Sequence, residues 1–146
     1  MKKIRYTLLF MSICIFMASC TKSENKYGLE IPEDVLTLVE TYMDAYKLGT
    51  GEAIKYTHFE NDFKKEAYLE SGDKLFDYKI ESAEKINDKL FTFTILVKTI
   101  QTGDYYLSVY NFVALIDNEW YFINGVGNIP QNLKSNIDES KYTYGV

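Results

Sequence analysis

The spacing of the hydrophobic residues along this chain of 146 residues changes at Gly72. Before Gly72 the apolar side chains recur every three or four residues, the period that places them on one face of an α-helix. After Gly72 they alternate with polar residues, which is the period of a half-buried β-strand. Because the helical segments precede the strand segments instead of alternating with them, the chain is expected to form an α+β fold.

The first helical segment is the longest of the three. Pro32 suits its first turn, and Gly49 suits the position just after its last turn. Between them runs an amphipathic stripe about four turns long, made of Val35, Val39, Tyr42 and Tyr46 with Leu38 and Met43 beside it. A short second helix is predicted over residues 51–56. A third is predicted from Asp62 to about Ser71, with Phe63, Ala67 and Tyr68 facing inward.

Four strand segments follow Gly72. They cover Leu75–Lys85, Leu90–Ile100, Tyr105–Ile116 and Trp120–Asn124, and Phe76, Tyr78 and Ile80 share one face of the first. The short connections force neighbouring strands to run antiparallel. The third segment is nearly all apolar or tyrosine, which is typical of a strand covered on both faces. The sequence predicts two or three N-terminal helices packed on a curved antiparallel sheet of four or more strands.

Residues 31–130 resemble the NTF2-like superfamily, the cystatin-like α+β cone, and especially its small bacterial lipoproteins. The resemblance is carried by the helix from Pro32 to Leu48, by Tyr56-Thr57-His58-Phe59, by the hairpins and by the closing segment 118–125 (Asn-Glu-Trp-Tyr-Phe-Ile-Asn-Gly). It implies a sheet wrapped round the first helix, and in the enzymes of the superfamily a His or Asp inside the cone moves protons on small hydrophobic substrates. Residues 131–146 lie beyond the resemblance and are predicted to be a C-terminal tail or an added edge strand.

The first nineteen residues have the three parts of a bacterial secretion signal. Lys2, Lys3 and Arg5 precede an apolar run that is too short to span a bilayer as a helix. The run ends at Met17-Ala18-Ser19-Cys20, which resembles a lipobox, with Met17 in place of the usual Leu, Val or Ile. The resemblance implies cleavage before Cys20, a diacylglycerol thioether on that residue and a lipidated tether over residues 20–30. An ordinary signal peptide and an uncleaved anchor helix are the alternatives.

The expected location is therefore the cell envelope, on the extracytoplasmic side of a bacterial membrane, with the acyl anchor on Cys20 as the membrane contact. Without the signal, thirteen basic residues stand against twenty-one acidic ones, a net charge of −8. Such a domain repels phosphate backbones, so a nucleic-acid partner is not expected. The mature chain has one His and no free thiol, and it has no phosphate-binding loop. We therefore expect no metal and no cofactor.

His58 is the weak candidate for a catalytic residue. Beside a carboxylate such as Asp44 it could act as a base near neutral pH. A cone-pocket isomerase, dehydratase or hydrolase using His58 is therefore the alternative function. A single His at a helix-to-strand junction more often makes a local hydrogen bond, which is the competing interpretation.

Five aromatic residues are candidates for lining a pocket: Tyr42, Tyr46, Tyr106, Tyr110 and Trp120. Aromatic rings with polar tips suit a ligand pocket or a protein interface. The pattern favours the alternative, that they are core residues whose hydroxyls reach solvent at the rim. Trp120 is also expected to share a face with Phe122 and to pack on the stripe of the first helix.

The sequence contains no catalytic constellation beyond His58. The leading hypothesis is therefore a membrane-anchored, non-catalytic binding module whose partner is an envelope protein or a small hydrophobic ligand. A toxin-immunity or peptidoglycan-associated partner is a third hypothesis, which the acidic surface permits but does not indicate.

Overall fold

The computed structural model describes residues 25–27, 29–135 and 137–142. The predicted signal peptide, Cys20 and the start of the tether lie outside the described residues. The helices are α1 (Glu33–Leu48), α2 (Thr50–Ala53), α3 (Asp62–Glu70) and α4 (Gln131–Lys134), with 3₁₀ turns at Ile54–Tyr56, Val126–Asn128 and Glu139–Tyr142. The strands are β1 (Leu75–Asn87), β2 (Leu90–Thr99), β3 (Leu107–Ile116) and β4 (Glu119–Asn124). Among the described helices, none is long and apolar enough to cross a membrane.

The four strands form an antiparallel meander in the order β1-β2-β3-β4. β3 and β4 are joined by Asp117 and Asn118, whose φ angles are 51° and 66°. Positive φ at both positions is typical of the two-residue hairpin turn whose twist matches that of the flanking strands. Helices packed on a curved antiparallel sheet confirm the predicted α+β fold class.

α1 packs on one face of the sheet, which we call the inner face. Val35, Val39 and Tyr42 are fully buried there, and the Tyr42 ring stacks on Phe122 with ring centroids 3.7 Å apart. Each buried side chain of this kind contributes roughly 1.5–3 kcal/mol to folding, so the stripe fixes the helix on the sheet. The predicted stripe of α1 is confirmed, with Leu36 as an additional buried member.

The side chains of β1 do not alternate strictly between the two faces of the sheet. A register shift between Leu75 and Asp77 places an extra residue opposite β2. The extra residue changes which side chains of β1 point to the inner face, and it bends the strand. Leu75, Tyr78 and Ile80 consequently pack towards α1, whereas Phe76 is 55% exposed. The prediction that Phe76 shares a face with Tyr78 and Ile80 is therefore wrong.

The outer face of the sheet has its own core. Phe112 and Ile123 are fully buried there together with Ile129, which follows the last strand. The Tyr142 ring lies edge-on to Phe112, with centroids 5.2 Å apart, so the C-terminal segment covers this face. β3 is covered on both faces only over residues 111–114; the prediction is wrong for residues 105–108, which are exposed. In residues 131–135 and 137–142 the tail forms α4 and a 3₁₀ turn and no strand, which corrects the edge-strand expectation for these residues.

α3 lies at the margin of the fold and has no fully buried residue. Its first turn is capped by the Asn61 side chain, which accepts a 3.0 Å hydrogen bond from the Lys64 backbone N–H. Tyr68 packs inward, but Phe63 is 79% exposed and Ala67 is exposed as well, so the prediction is wrong for Phe63 and Ala67. Five residues at 3.6 per turn separate the two rings by about 140° around the helix, and only one of them can face the core.

Candidate functional site

A cavity of about 340 Å³ lies between the C-terminal half of α1 and the inner face of the sheet. α1 contributes Tyr42, Met43 and Tyr46, and Tyr46 lies near both of the others because it follows Met43 by three residues and Tyr42 by four. β2 and β3 contribute Val97 and Val109 from the opposite side. These side chains give the cavity mainly apolar walls, as in pockets that hold small organic molecules.

The mouth of the cavity is at the connection between β2 and β3. Gln101 and Leu107 line it and are exposed to solvent. Thr99 and Thr102 lie at the same connection, and Asp73, Asn111 and Asn124 line the cavity from other segments. A ligand in this cavity would therefore meet an apolar wall and a small number of fixed polar groups.

Asp73 is the one ionisable carboxylate that lines this cavity, and it is only 9% exposed. The Tyr46 hydroxyl donates a 2.7 Å hydrogen bond to Asp73 Oδ2, and the Gln101 backbone N–H donates to Oδ1 at 3.3 Å. Gly72, with a φ of 58°, makes the turn that brings Asp73 here from the end of α3. Within the described part of the chain, no lysine or arginine forms an ion pair with Asp73.

The Tyr46 hydroxyl is held in its protonated form. Burial first, and then the hydrogen bond to Asp73, raise the pKa of Tyr46 far above its ordinary value. The hydroxyl therefore donates to the carboxylate throughout the physiological pH range. Because the two donors to Asp73 are neutral, its negative charge remains available to a ligand at the cavity.

A second polar cluster lies where α1, α3 and β4 meet. The hydroxyl oxygens of Tyr42 and Tyr68 are 3.0 Å apart, and the Asn124 amide nitrogen donates to the Tyr42 oxygen at 3.1 Å. Burial raises the pKa of Tyr42 well above its ordinary value and raises that of Tyr68 to about 12. Both hydroxyls thus stay neutral and position the Asn124 side chain at the cavity wall.

Asn111 differs from these groups because its side chain has no protein partner. It is 5% exposed and lines the cavity from β3. No hydrogen bond joins its side-chain amide to any residue that the structure describes. No buried side-chain nitrogen or oxygen atom of the described residues lacks a hydrogen-bond partner, so the Asn111 amide is open to the cavity. It is therefore chemically suited to a ligand or an ordered water.

His58 lies outside this cavity. It follows the 3₁₀ turn at Ile54–Tyr56, and its backbone N–H donates to the Phe122 carbonyl at 3.0 Å, which covers the edge of β4. Its imidazole makes no hydrogen bond within residues 25–142 as described, and its ring contact is Tyr121. Burial lowers the pKa of His58. Asp44, which was the expected carboxylate partner, pairs with Lys47 at 3.0 Å instead.

Of the five candidate lining residues, the structure places two on the wall of this cavity and three elsewhere. Tyr42 and Tyr46 lie on the cavity wall. Tyr106 is exposed and bonds to Asp77, and Tyr110 packs against Tyr142 near the outer face. Trp120 packs edge-on to Phe91, 5.7 Å between centroids, and its Nε1 donates to Asp34 at 2.9 Å. These three residues do not line this cavity, and Tyr106 lines a separate surface pocket together with Phe76 and Asp77.

Sequence reasoning missed Asp73, Asn111 and Asn124 as lining residues of the cavity. Asn111 had a usable signal, since it is an amide in the middle of an otherwise mostly apolar strand. Asp73 and Asn124 had none, because polar residues beside a glycine are typical of ordinary turns. In the residues that the structure describes, no group of three His, Cys, Asp or Glu side chains is placed to hold a metal ion.

Comparison of the chain with protein-family models, with curated proteins and with solved structures finds no match. The cavity geometry is consequently the main structural ground on which a function can be argued.

Proposed function

We propose that this chain is a lipid-anchored, non-catalytic binding module of the bacterial cell envelope, built on an NTF2-like domain. Its ligand is a small molecule with an apolar body and a hydrogen-bond donor, of which an ammonium group is the best fit. The observation that carries the proposal is the pairing of apolar walls with two polar groups, the Asp73 carboxylate and the unpartnered Asn111 amide.

The charge of the cavity supports a cationic or donor-bearing ligand. The Asp73 carboxylate accepts hydrogen bonds from the Tyr46 hydroxyl and the Gln101 backbone N–H. Charge-assisted hydrogen bonds are roughly twice as strong as neutral ones. A carboxylate ligand of the same shape would instead face a like charge in a half-enclosed site. The net charge of −8 adds to this preference at longer range.

The proposed location rests on the sequence of the first twenty residues. Lys2, Lys3 and Arg5, the apolar run and the Ser19-Cys20 junction are the features that support an acyl anchor on Cys20. The tether then places the domain at the membrane surface, where amphiphilic molecules are concentrated. A binding module there needs no nucleic-acid partner and no cofactor.

The test compares decylammonium with decanoate, which share a tail length and differ in the sign of their head group. The protein is the chain from Lys22 onward, which keeps every described residue, and binding is measured by calorimetry below the micelle concentration. We expect decylammonium to bind more tightly than decanoate. Asp73→Asn should remove that preference, and Val109→Phe should weaken both ligands by filling the cavity.

Asp44→Asn is the matched control because Asp44 is an exposed carboxylate on α1 and lies outside the cavity lining. It should leave the preference intact. Equal binding of the two amphiphiles by the unaltered chain, or a preference that survives Asp73→Asn, would refute the proposed ligand class.

A further inference from the structure

Five of the nine large hydrophobic side chains that are exposed in the described part of the chain gather at one end of the sheet. We call them the hairpin patch: Phe76, Ile100, Tyr105, Tyr106 and Leu107. Their exposed fractions range from 40% for Tyr106 to 80% for Tyr105. Exposed apolar patches of this kind mark surfaces that are covered in use.

The hairpin patch is continuous across β1 and the β2–β3 connection. Tyr106 bonds through its hydroxyl to Asp77, the neighbour of Phe76. The Ile100 backbone N–H donates to the Lys74 carbonyl at 3.0 Å, just before β1. Leu107 belongs both to the patch and to the lining of the cavity, so the patch adjoins the cavity mouth.

The N-terminal residues lie beside the same region. Tyr27 donates a 2.9 Å hydrogen bond to Glu40 of α1. Burial raises the pKa of Tyr78 to about 12, and the neighbouring Tyr27 adds to the rise. Tyr78 faces α1 and is two residues from Phe76 on β1, so the segment 25–27 lies along the strand that carries part of the hairpin patch.

The chain length before this segment limits the distance to the membrane. Asn25 is five residues after Cys20, and five extended residues reach about 17 Å at most. An acyl chain on Cys20 would therefore hold the bilayer surface close to the side of the domain that carries the patch. Aromatic and aliphatic side chains together are the composition that proteins place at a membrane interface.

The charges around the patch fit a lipid surface better than they fit a second copy of this acidic domain. Lys98 pairs with Asp104 at 3.2 Å, and the Lys79 ammonium lies 5.0 Å from the centre of the Tyr106 ring. Lysines beside the acids make this margin less negative than the domain as a whole. Long lysine side chains can also extend to lipid head groups while their stems cover apolar surface.

We propose that the hairpin patch rests on the lipid bilayer to which Cys20 is anchored, so that the cavity mouth opens beside the membrane surface. This proposal rests on the acyl anchoring proposed above. It gives the domain one orientation on the membrane and gives an amphiphile a short path between the lipid and the cavity.

The experiment uses the full acylated protein in vesicles of phosphatidylethanolamine and phosphatidylglycerol. Asp104→Cys and Asp88→Cys are matched labelling sites, because each is an exposed, lysine-paired aspartate in a strand connection and the two lie at opposite ends of β2. Each carries an environment-sensitive fluorophore, and quenching by spin-labelled lipid is measured. The Asp104→Cys label should lose most of its emission, whereas the Asp88→Cys label should keep it.

A double substitution, Phe76→Ser with Tyr105→Ser, should restore emission at Asp104→Cys, with an unchanged circular dichroism spectrum. An acylated protein whose two labels are quenched equally, or not at all, would overturn the proposal and leave the anchor intact. Emission that changes with protein density and not with spin-labelled lipid would overturn it in favour of contact between copies. A mature chain whose mass lacks the acyl group would overturn both the anchoring and the orientation.

Discussion

The Tyr46 hydroxyl donates a 2.7 Å hydrogen bond to Asp73 Oδ2 and thereby joins the end of α1 to the segment before β1. The two residues are twenty-seven positions apart in the sequence. Their bond fixes a carboxylate at the side of an apolar cavity while leaving its negative charge without a cationic partner among the described residues. This relationship gives the cavity a preference for one sign of ligand charge.

Asn111→Leu should weaken ligand binding without lowering the stability of the domain. The Asn111 amide faces the cavity and has no protein partner in the described residues, so an apolar side chain of similar size breaks no hydrogen bond within the protein. We expect stability to be nearly unchanged, measured by urea unfolding, while decylammonium affinity falls. Val113→Ala, on the same strand and outside the cavity lining, should show the reverse pattern. A large loss of stability in Asn111→Leu would show that the amide has a structural partner.

Trp120→Ala should destabilise the domain by about 3 kcal/mol, towards the lower end of the range for large aromatic truncations. The ring is partly buried against Phe91, and its N–H bonds to Asp34 in the first turn of α1. Thermal melting of the chain from Lys22 onward measures the loss. Tyr121→Ala, the next residue on β4, is the control and should cost much less. A Trp120→Ala variant that melts within a couple of degrees of the unaltered chain would contradict this assignment.

His58 should titrate below its ordinary pKa of 6.5, because burial disfavours the charged imidazole. The folded state then binds fewer protons than the unfolded state just below that pH. His58 therefore contributes stability that is present above pH 6.5 and is lost as the pH falls from 6.5 through the lowered folded-state pKa. Its effect is small because the ring is largely solvated. The chain has a single His, so one NMR titration gives the value. A pKa above 6.5 would indicate a carboxylate partner and would favour the alternative of catalysis by His58.

Cys20→Ser should release the protein from the membrane fraction. The lipobox resemblance makes Cys20 the site of acylation, and the acidic domain with its small apolar patch provides only weak membrane affinity of its own. A fatty-acid analogue should label the unaltered protein and not the variant. Ser19→Ala, which keeps a small residue before the cysteine, is the control and should remain anchored. Retention of Cys20→Ser on membranes after a salt wash would indicate an uncleaved helix.

The periodicity of the sequence was sufficient to predict the helix–strand order and the stripe of α1, because both depend on local spacing. It could not predict the facing of Phe76, which depends on a register shift set by pairing with β2. The cover of the outer face was also missed, since Ile129 and Tyr142 are too irregularly spaced to form a pattern. The cavity escaped prediction for the same reason: Asp73 and Asn111 meet it from segments thirty-eight residues apart.

The most direct test of the central claim is to locate decylammonium on the protein from nuclear Overhauser contacts between its chain and labelled methyl groups. The account predicts contacts from the alkyl chain to the methyls of Met43, Val97 and Val109, with the ammonium end at Asp73. Contacts confined to the hairpin patch or to the outer face around Ile123, with none inside the cavity, would contradict it.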